Sequence, residues 1–120
     1  MRPVLGAGVR VGRISDRTTF DALRRCSQRS RSGPITVSWV EGGSSPWPRV
    51  AYAIGRRVGG AVVRNQIRRR LRGIFAEAAP TLPAGSYLVS VTPQAGRSSF
   101  VDLRTYVYQA VEALSKQGAR

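Results

Sequence analysis

Seven side chains between positions 56 and 72 carry most of the chemistry this sequence offers: Arg56, Arg57, Arg64, Asn65, Arg68, Arg69 and Arg72. A guanidinium fork presents paired N–H donors and matches the oxygens of a phosphate better than a lysine ammonium does. Asn65 adds an amide able to meet a base edge, a ribose hydroxyl or a phosphate. No acid occurs between Glu41 and Glu77, an interval that holds eight arginines. Arg64 with Arg68, and Arg68 with Arg72, are like-charge pairs one helical turn apart, each costing roughly 0.2–0.5 kcal/mol in a helix. Cations in a first turn also oppose the helix dipole. A charge run is ordinarily a solvated face. Here the missing acids and the self-repulsion point instead to a polyanion lying across the helix. Arg70 falls nearer the apolar edge, where its stem can snorkel.

Catalysis by this chain fails on inventory. It has no histidine, so it lacks a His-based triad, a His metal site and a histidine base poised near neutrality. Its six carboxylates, Asp16, Asp21, Glu41, Glu77, Asp102 and Glu112, are scattered, and Asp21 and Asp102 are accounted for as helix-capping residues. Gly55, Gly59 and Gly60 do not belong to a GxxxxGK[ST] phosphate loop and read as turn residues. Cys26 is alone, which precludes an intrachain disulfide, and no base stands ready to activate it. We therefore assign no catalytic residue and no metal ligand.

Twenty basic residues against six acidic ones, a net charge of +14 over 120 residues, mark a polyanion-binding chain with enough apolar content (42%) for one domain. No apolar run approaches the roughly 20 residues of a membrane span. The first ten residues lack a signal-peptide core. The reading is a cytoplasmic protein with no membrane partner.

The elements that must position the arginines follow from periodicity. Residues 1–12 read as a flexible basic arm, 13–114 as one domain and 115–120 as a flexible tail. Thr18 and Asp21 form a capping box for a first helix over about 19–28, with Phe20 and Leu23 on one side and Arg24 and Arg25 around it. Ile35 to Val40 alternates as a strand, 41–48 reads as a long hairpin loop, and 49–54 as a second strand pairing antiparallel with the first. The glycine turn leads into a helix reaching about Ala79, with Val63, Ile67, Leu71, Ile74, Phe75 and Ala78 as its buried stripe. Pro80 and Pro83 stop it. A third strand spans 87–91. Ser99 and Asp102 box a last helix, whose stripe is Phe100, Leu103, Val107, Ala110, Val111 and Leu114. The sum is an α+β fold, a two-layer α/β sandwich with three helices on a small, mostly antiparallel sheet. Phe20 and Tyr52 are either core residues or platforms for stacking a base. Trp39 and Trp47 read as packing residues that cover the loop.

The stretch from Arg49 to Phe75 resembles the signature of the bacterial ribonuclease P protein component: a strand, the basic pair Arg56–Arg57, Gly60-Ala-Val, Arg64-Asn65, the pair Arg68–Arg69, and Arg72. Arg13-Ile14 and Phe20 are similar to the family's N-terminal element, and the likeness extends over about residues 13–114. The resemblance implies a protein subunit that assists a catalytic RNA in removing the 5′ leader of precursor tRNA, the RNA performing the hydrolysis with Mg2+. It implies that Arg56, Arg57, Arg64, Asn65, Arg68, Arg69 and Arg72 bind the catalytic RNA. A cleft containing Arg13, Phe20, Arg24 and Tyr52 would hold the single-stranded leader. It also implies a left-handed βαβ crossover, and partners limited to ribonuclease P RNA and precursor tRNA, with no protein partner required. Two positions depart from the family pattern: Gln66 stands where a base is common, and Arg24 where a second aromatic is common.

Two other classes fit the charge: a structural RNA-binding protein of ribosomal type, and a non-specific DNA-binding protein. In every case affinity should fall steeply with salt. A titration across a salt series should give a log–log slope of about −0.7 to −0.9 per neutralised phosphate; a flat dependence would remove phosphate binding altogether.

Overall fold

The apolar run Ser86–Val91 becomes β5, the centre of a five-stranded sheet of order β1-β4-β5-β3-β2. The structure, a computed structural model, describes residues 11–14, 16–25, 28–41 and 47–118. The other strands are β1 (Gly12–Arg13), β2 (Arg29–Ser32), β3 (Ile35–Val40) and β4 (Arg49–Ala53). The helices are α1 (Arg17–Arg25), α2 (Ala61–Ala78) and α3 (Phe100–Gly118). Residues 1–10 of the basic arm, Cys26, and positions 42–46 of the loop lie outside the described residues, as do Arg120 and Ala119 of the tail.

The sheet is mixed, not mostly antiparallel. β5 runs parallel to β4 and antiparallel to β3, while β1 runs parallel to β4 and β2 antiparallel to β3. The hairpin expected between β3 and β4 is absent because β5 lies between them. Tyr87 and Val89 of β5 are buried to 1% and 0% exposure, and a strand so deep needs a hydrogen-bonded partner on each edge. α2 supplies the crossover that returns the chain parallel to β4.

β2 also departs from expectation. Arg29-Ser-Arg-Ser has no apolar alternation, yet it pairs with β3 through a turn at Gly33–Pro34. Gly33 has φ 56°, and a Cβ there would lie 2.6 Å from the Tyr106 ring, so both conformation and space require glycine. The polar strand is held from the side as well: Arg29 Nε donates to Ser38 Oγ at 3.1 Å, and Ser32 Oγ donates to Gln109 Oε1 on α3 at 2.6 Å.

α1 starts two residues earlier than expected and ends earlier too, since its cap is Asp16 and not Thr18. The Asp16 carboxylate accepts the Thr19 backbone N–H at 2.9 Å and the Thr19 hydroxyl. Aspartate caps at least as well as threonine, so the upstream residue wins. α3 begins as expected, with Ser99 Oγ accepting the Asp102 N–H at 3.0 Å, but Phe100, expected in its buried stripe, sits at the first position of the helix and is exposed.

One core joins α2, α3 and one face of the sheet. Ile67, Leu71, Ile74 and Phe75 of α2 meet Val37, Tyr87 and Val89 from the strands and Leu103 and Val107 from α3. α1 crosses the other face over β3 and β5 and buries Leu23 completely. Its start is pinned there by Arg49, whose guanidinium lies 3.5 Å from Asp16 Oδ1 and donates to Ser86 Oγ at 3.1 Å. At the far end of α2, Glu77 Oε2 accepts from Arg104 Nε at 2.8 Å and from the Tyr108 hydroxyl at 2.7 Å. The Arg104 guanidinium also lies 4.9 Å from the centre of the Tyr108 ring. Trp39 packs as expected, its Nε1 donating to Ala84 O at 3.2 Å.

The two carboxylates in these networks titrate below their ordinary values, Asp16 because Thr19 donates to it with Arg49 nearby, and Glu77 because Arg104 and Tyr108 donate to it. A depressed folded pKa adds stability above the unfolded pKa, and that stability is lost as pH falls through the folded value. Asp16→Asn should therefore lower the melting temperature at neutral pH, with the gap to the parent closing below about pH 4. Melting curves on a pH series check this, and a gap that persists into acid would show that Asp16 acts without its charge.

Candidate nucleic-acid interface

The cations of α2 divide between two sides of the helix because its buried stripe fixes the rotation. With Ile67, Leu71 and Ile74 inward, Arg68, Arg72 and Ala76, spaced one turn apart, form one flank. Val62, Asn65, Gln66 and Arg69 form a shallow groove on another.

The first flank is one wall of an open cleft of about 680 Å³ at the β4 edge of the sheet. Val11, Gly12, Arg13 and Ile14 line it from β1 and its flanks, Phe20 from α1, Val50, Ala51 and Tyr52 from β4, and Arg68, Arg72 and Ala76 from α2. β1 pairs with β4 only at Arg49 and Val50, and the cleft includes the stretch of β4 just beyond that pairing.

Phe20 is half-buried on the cleft wall, not part of the main core. Tyr52 does both jobs. Its ring meets Phe75 edge-on, centroids 6.2 Å apart at 74°, and also lines the cleft. Burial pushes the Tyr52 hydroxyl up to about 12, against the opposing pull of the Arg72 charge, so it remains a neutral donor at physiological pH. Two aromatic rings, with guanidiniums from Arg13, Arg68 and Arg72, form a surface that can stack bases and neutralise the backbone between them.

Other expected site residues fall elsewhere. Arg24 is exposed one turn beyond Phe20 and does not line the cleft; its carbonyl accepts from Arg29 at 3.0 Å. Arg56 and Arg57 are exposed on a 3-10 turn, Arg56–Val58, before α2. Arg64 folds back, Nε donating to Gly59 O at 3.1 Å, and so closes the glycine turn. Arg68 is half-buried and donates to Asn65 Oδ1 at 3.2 Å, which orients the amide. Arg69 is exposed, and Arg70 lies along the apolar edge as expected, donating to Ser98 O at 3.3 Å.

Sequence reasoning missed Ala76 and Ala51 as cleft residues. Ala76 was accessible through its spacing, two turns after Arg68 on the same flank. Ala51 was not, since its role depends on strand order. Among the described residues, no group of three or more His, Cys, Asp or Glu side chains could hold a metal ion, and no helix is long and apolar enough to cross a membrane.

The fold and the cleft define a basic α+β domain with an open, arginine- and aromatic-lined cleft. The family model described as ribonuclease P matches residues 10–115. The ribonuclease P protein component of Thermobifida fusca is 33% identical over 113 residues, covering 87% of this chain and 76% of the relative. That of Acidothermus cellulolyticus is 38% identical over 102 residues, covering 83% and 82%. The solved ribonuclease P protein of Staphylococcus aureus has the same fold, with a TM-score of 0.78 at 16% identity over 87% of this chain and 95% of that one. For the Thermotoga maritima protein the TM-score is 0.74 at 19% identity, over 84% and 96%. The chain belongs to the ribonuclease P protein component family, whose members are protein subunits of the endoribonuclease that matures the 5′ end of tRNA.

The geometry gives Arg64 a part in holding the fold that Arg69, exposed on the same helix, does not have. Arg64→Ala removes a hydrogen bond to the turn and should cost about 1 kcal/mol. Arg69→Ala, on an exposed position, should stay within about 0.5 kcal/mol of the parent. Denaturant melts of the two variants measure this; equal losses would deny Arg64 its structural part.

Proposed function

We propose that this chain binds the catalytic RNA of ribonuclease P through one side of α2 and its leading turn, and holds the 5′ leader of precursor tRNA in the cleft. Arg56, Arg57, Arg64, Asn65 and Arg69 form the docking surface for the catalytic RNA. Arg13, Phe20, Tyr52, Arg68 and Arg72 take the leader, with the rings stacking bases and the guanidiniums meeting phosphates. Relative to the pattern implied by resemblance, this reading moves Arg68 and Arg72 to the leader and leaves Arg24 out of the cleft.

The observation that carries the proposal is the convergence of Phe20, Tyr52, Arg68 and Arg72 on one open cleft from three separate elements. A duplex shields its bases from such a surface, whereas a single strand offers a face to each ring. The phosphodiester hydrolysis belongs to the catalytic RNA and its Mg2+, in keeping with the absence of histidine from the chain and its scattered carboxylates. The protein's contribution is charge neutralisation and placement of the substrate, carried out in the cytoplasm where tRNA is matured. No other protein is needed for it.

Reconstitution tests this reading. The protein alone should cleave nothing, and with the cognate RNA at low Mg2+ it should raise cleavage of precursor tRNA. Phe20→Ala should weaken binding of a leader-bearing substrate about tenfold, within the range for loss of one base stack, while sparing a leaderless one. Failure of the folded protein to stimulate its RNA refutes the subunit role. Equal losses on both substrates refute the cleft assignment.

A further inference from the structure

A second aromatic–guanidinium site lies on the far side of α2 from the cleft, along its seam with α3. Two contacts fix how the helices align. Arg70 donates to Ser98 O just before α3, and Glu77 accepts from Arg104 and Tyr108 one and two turns into it. Gly73 shares that side of α2 with Arg70 and Glu77 by its spacing of three and four residues. It therefore stands opposite the first turn of α3. A Cβ at Gly73 would meet no atom within 4 Å, so the position is open space.

Across from this opening, α3 presents Phe100 and Val101 at 41% and 68% exposure. With Val62, they are the exposed large hydrophobic residues among those described. Phe100, Arg104 and Tyr108 follow at successive turns, placing a ring, a cation and a ring along the seam. Arg97 is exposed just ahead of them. Glu77, the acid on the α2 side of the seam, is already engaged by Arg104.

Neither oddity helps the free protein. Glycine in an exposed helix interior is disfavoured relative to alanine, and here no packing demands it. An exposed phenylalanine at a helix start forfeits its burial. Together they leave open space on α2 and an uncovered ring on α3 along one seam with guanidiniums at hand, a notch that suits one planar base with its phosphate.

We infer that this notch receives an unpaired nucleotide of the catalytic RNA, stacked on Phe100 over Gly73, with its backbone phosphates met by Arg70 and Arg97. The charge of the rim selects a polyanion over a second copy of this chain, which carries +14. The notch is on the opposite side of α2 from the leader cleft, so the RNA subunit is the source of the nucleotide. The inference rests on the subunit role proposed above and extends its contact surface from α2 to α3.

The test uses the full chain and the cognate catalytic RNA, without substrate. Phe100→Ala should weaken RNA binding about tenfold, and Phe100→Tyr should restore it, as expected for a lost and regained stack. Gly73→Leu adds a side chain at a position where a Cβ meets no protein atom within 4 Å. It should weaken RNA binding comparably while leaving the melting temperature unchanged or raised. Both variants should keep the parent's preference for leader-bearing over leaderless precursor in the reconstituted complex.

Parent-like RNA affinity in Phe100→Ala and Gly73→Leu, with the parent itself binding tightly, overturns the notch and leaves the subunit role standing. Failure of the parent to bind the RNA overturns both. A change in self-association instead of RNA affinity, read by light scattering, would reassign the notch to contact between copies.

Discussion

The structure turns on one helix that must satisfy two opposed demands. α2 connects two parallel strands, so its apolar stripe has to lie flat on the sheet and against α3. The same helix carries five arginines, Arg64, Arg68, Arg69, Arg70 and Arg72, without acids to relieve them until Glu77. Burial of Ile67, Leu71, Ile74 and Phe75, each at 2% exposure or less, outweighs a repulsion of a few tenths of a kcal/mol per pair. The packing fixes the helix's rotation, and that rotation decides which surface each guanidinium serves.

The remaining elements can be understood from that rotation. β1 is only two residues long and leaves the β4 edge accessible beyond Val50. α1 is anchored at its start by Arg49 and Asp16, which brings Phe20 to the same edge from the opposite face of the sheet. The cleft thus has walls from both faces. Arg49 is the hinge of this arrangement, a strand residue that reaches both the α1 cap and Ser86 on β5. Arginines bonded within the fold and arginines left exposed are interleaved in the sequence, which explains why net charge alone describes this chain poorly.

Much of this was legible from residues alone. The stripes of α2 and α3 and the alternation of β3 reflect local periodicities and were found where expected, except at Phe100, which the α3 stripe placed inward and the structure leaves 41% exposed at the helix start. The family's arginine–asparagine signature could be read because it is contiguous. β2 escaped notice because Arg29-Ser-Arg-Ser has no apolar period; its pairing comes from the turn at Gly33 and from β3. Strand order escaped because β5 pairs with strands more than thirty residues away in sequence, and local pattern holds no record of that. Phe20 and Tyr52 stayed ambiguous for a related reason. Each is half-buried at a rim, and only the tertiary arrangement says which side of it faces solvent. Arg24 came to the cleft by resemblance, through the position of a second aromatic, and the structure places it exposed one turn beyond Phe20, outside the cleft lining.

A cross-linking experiment tests the central claim most directly. Precursor tRNA carrying a photoreactive nucleotide at successive leader positions is bound to the reconstituted complex, irradiated and mapped by peptide mass. The account predicts adducts on the peptides that hold Arg13, Phe20, Tyr52 and Arg68 to Ala76. Adducts confined to surfaces outside the cleft, such as the groove of Val62, Asn65 and Arg69, would contradict it.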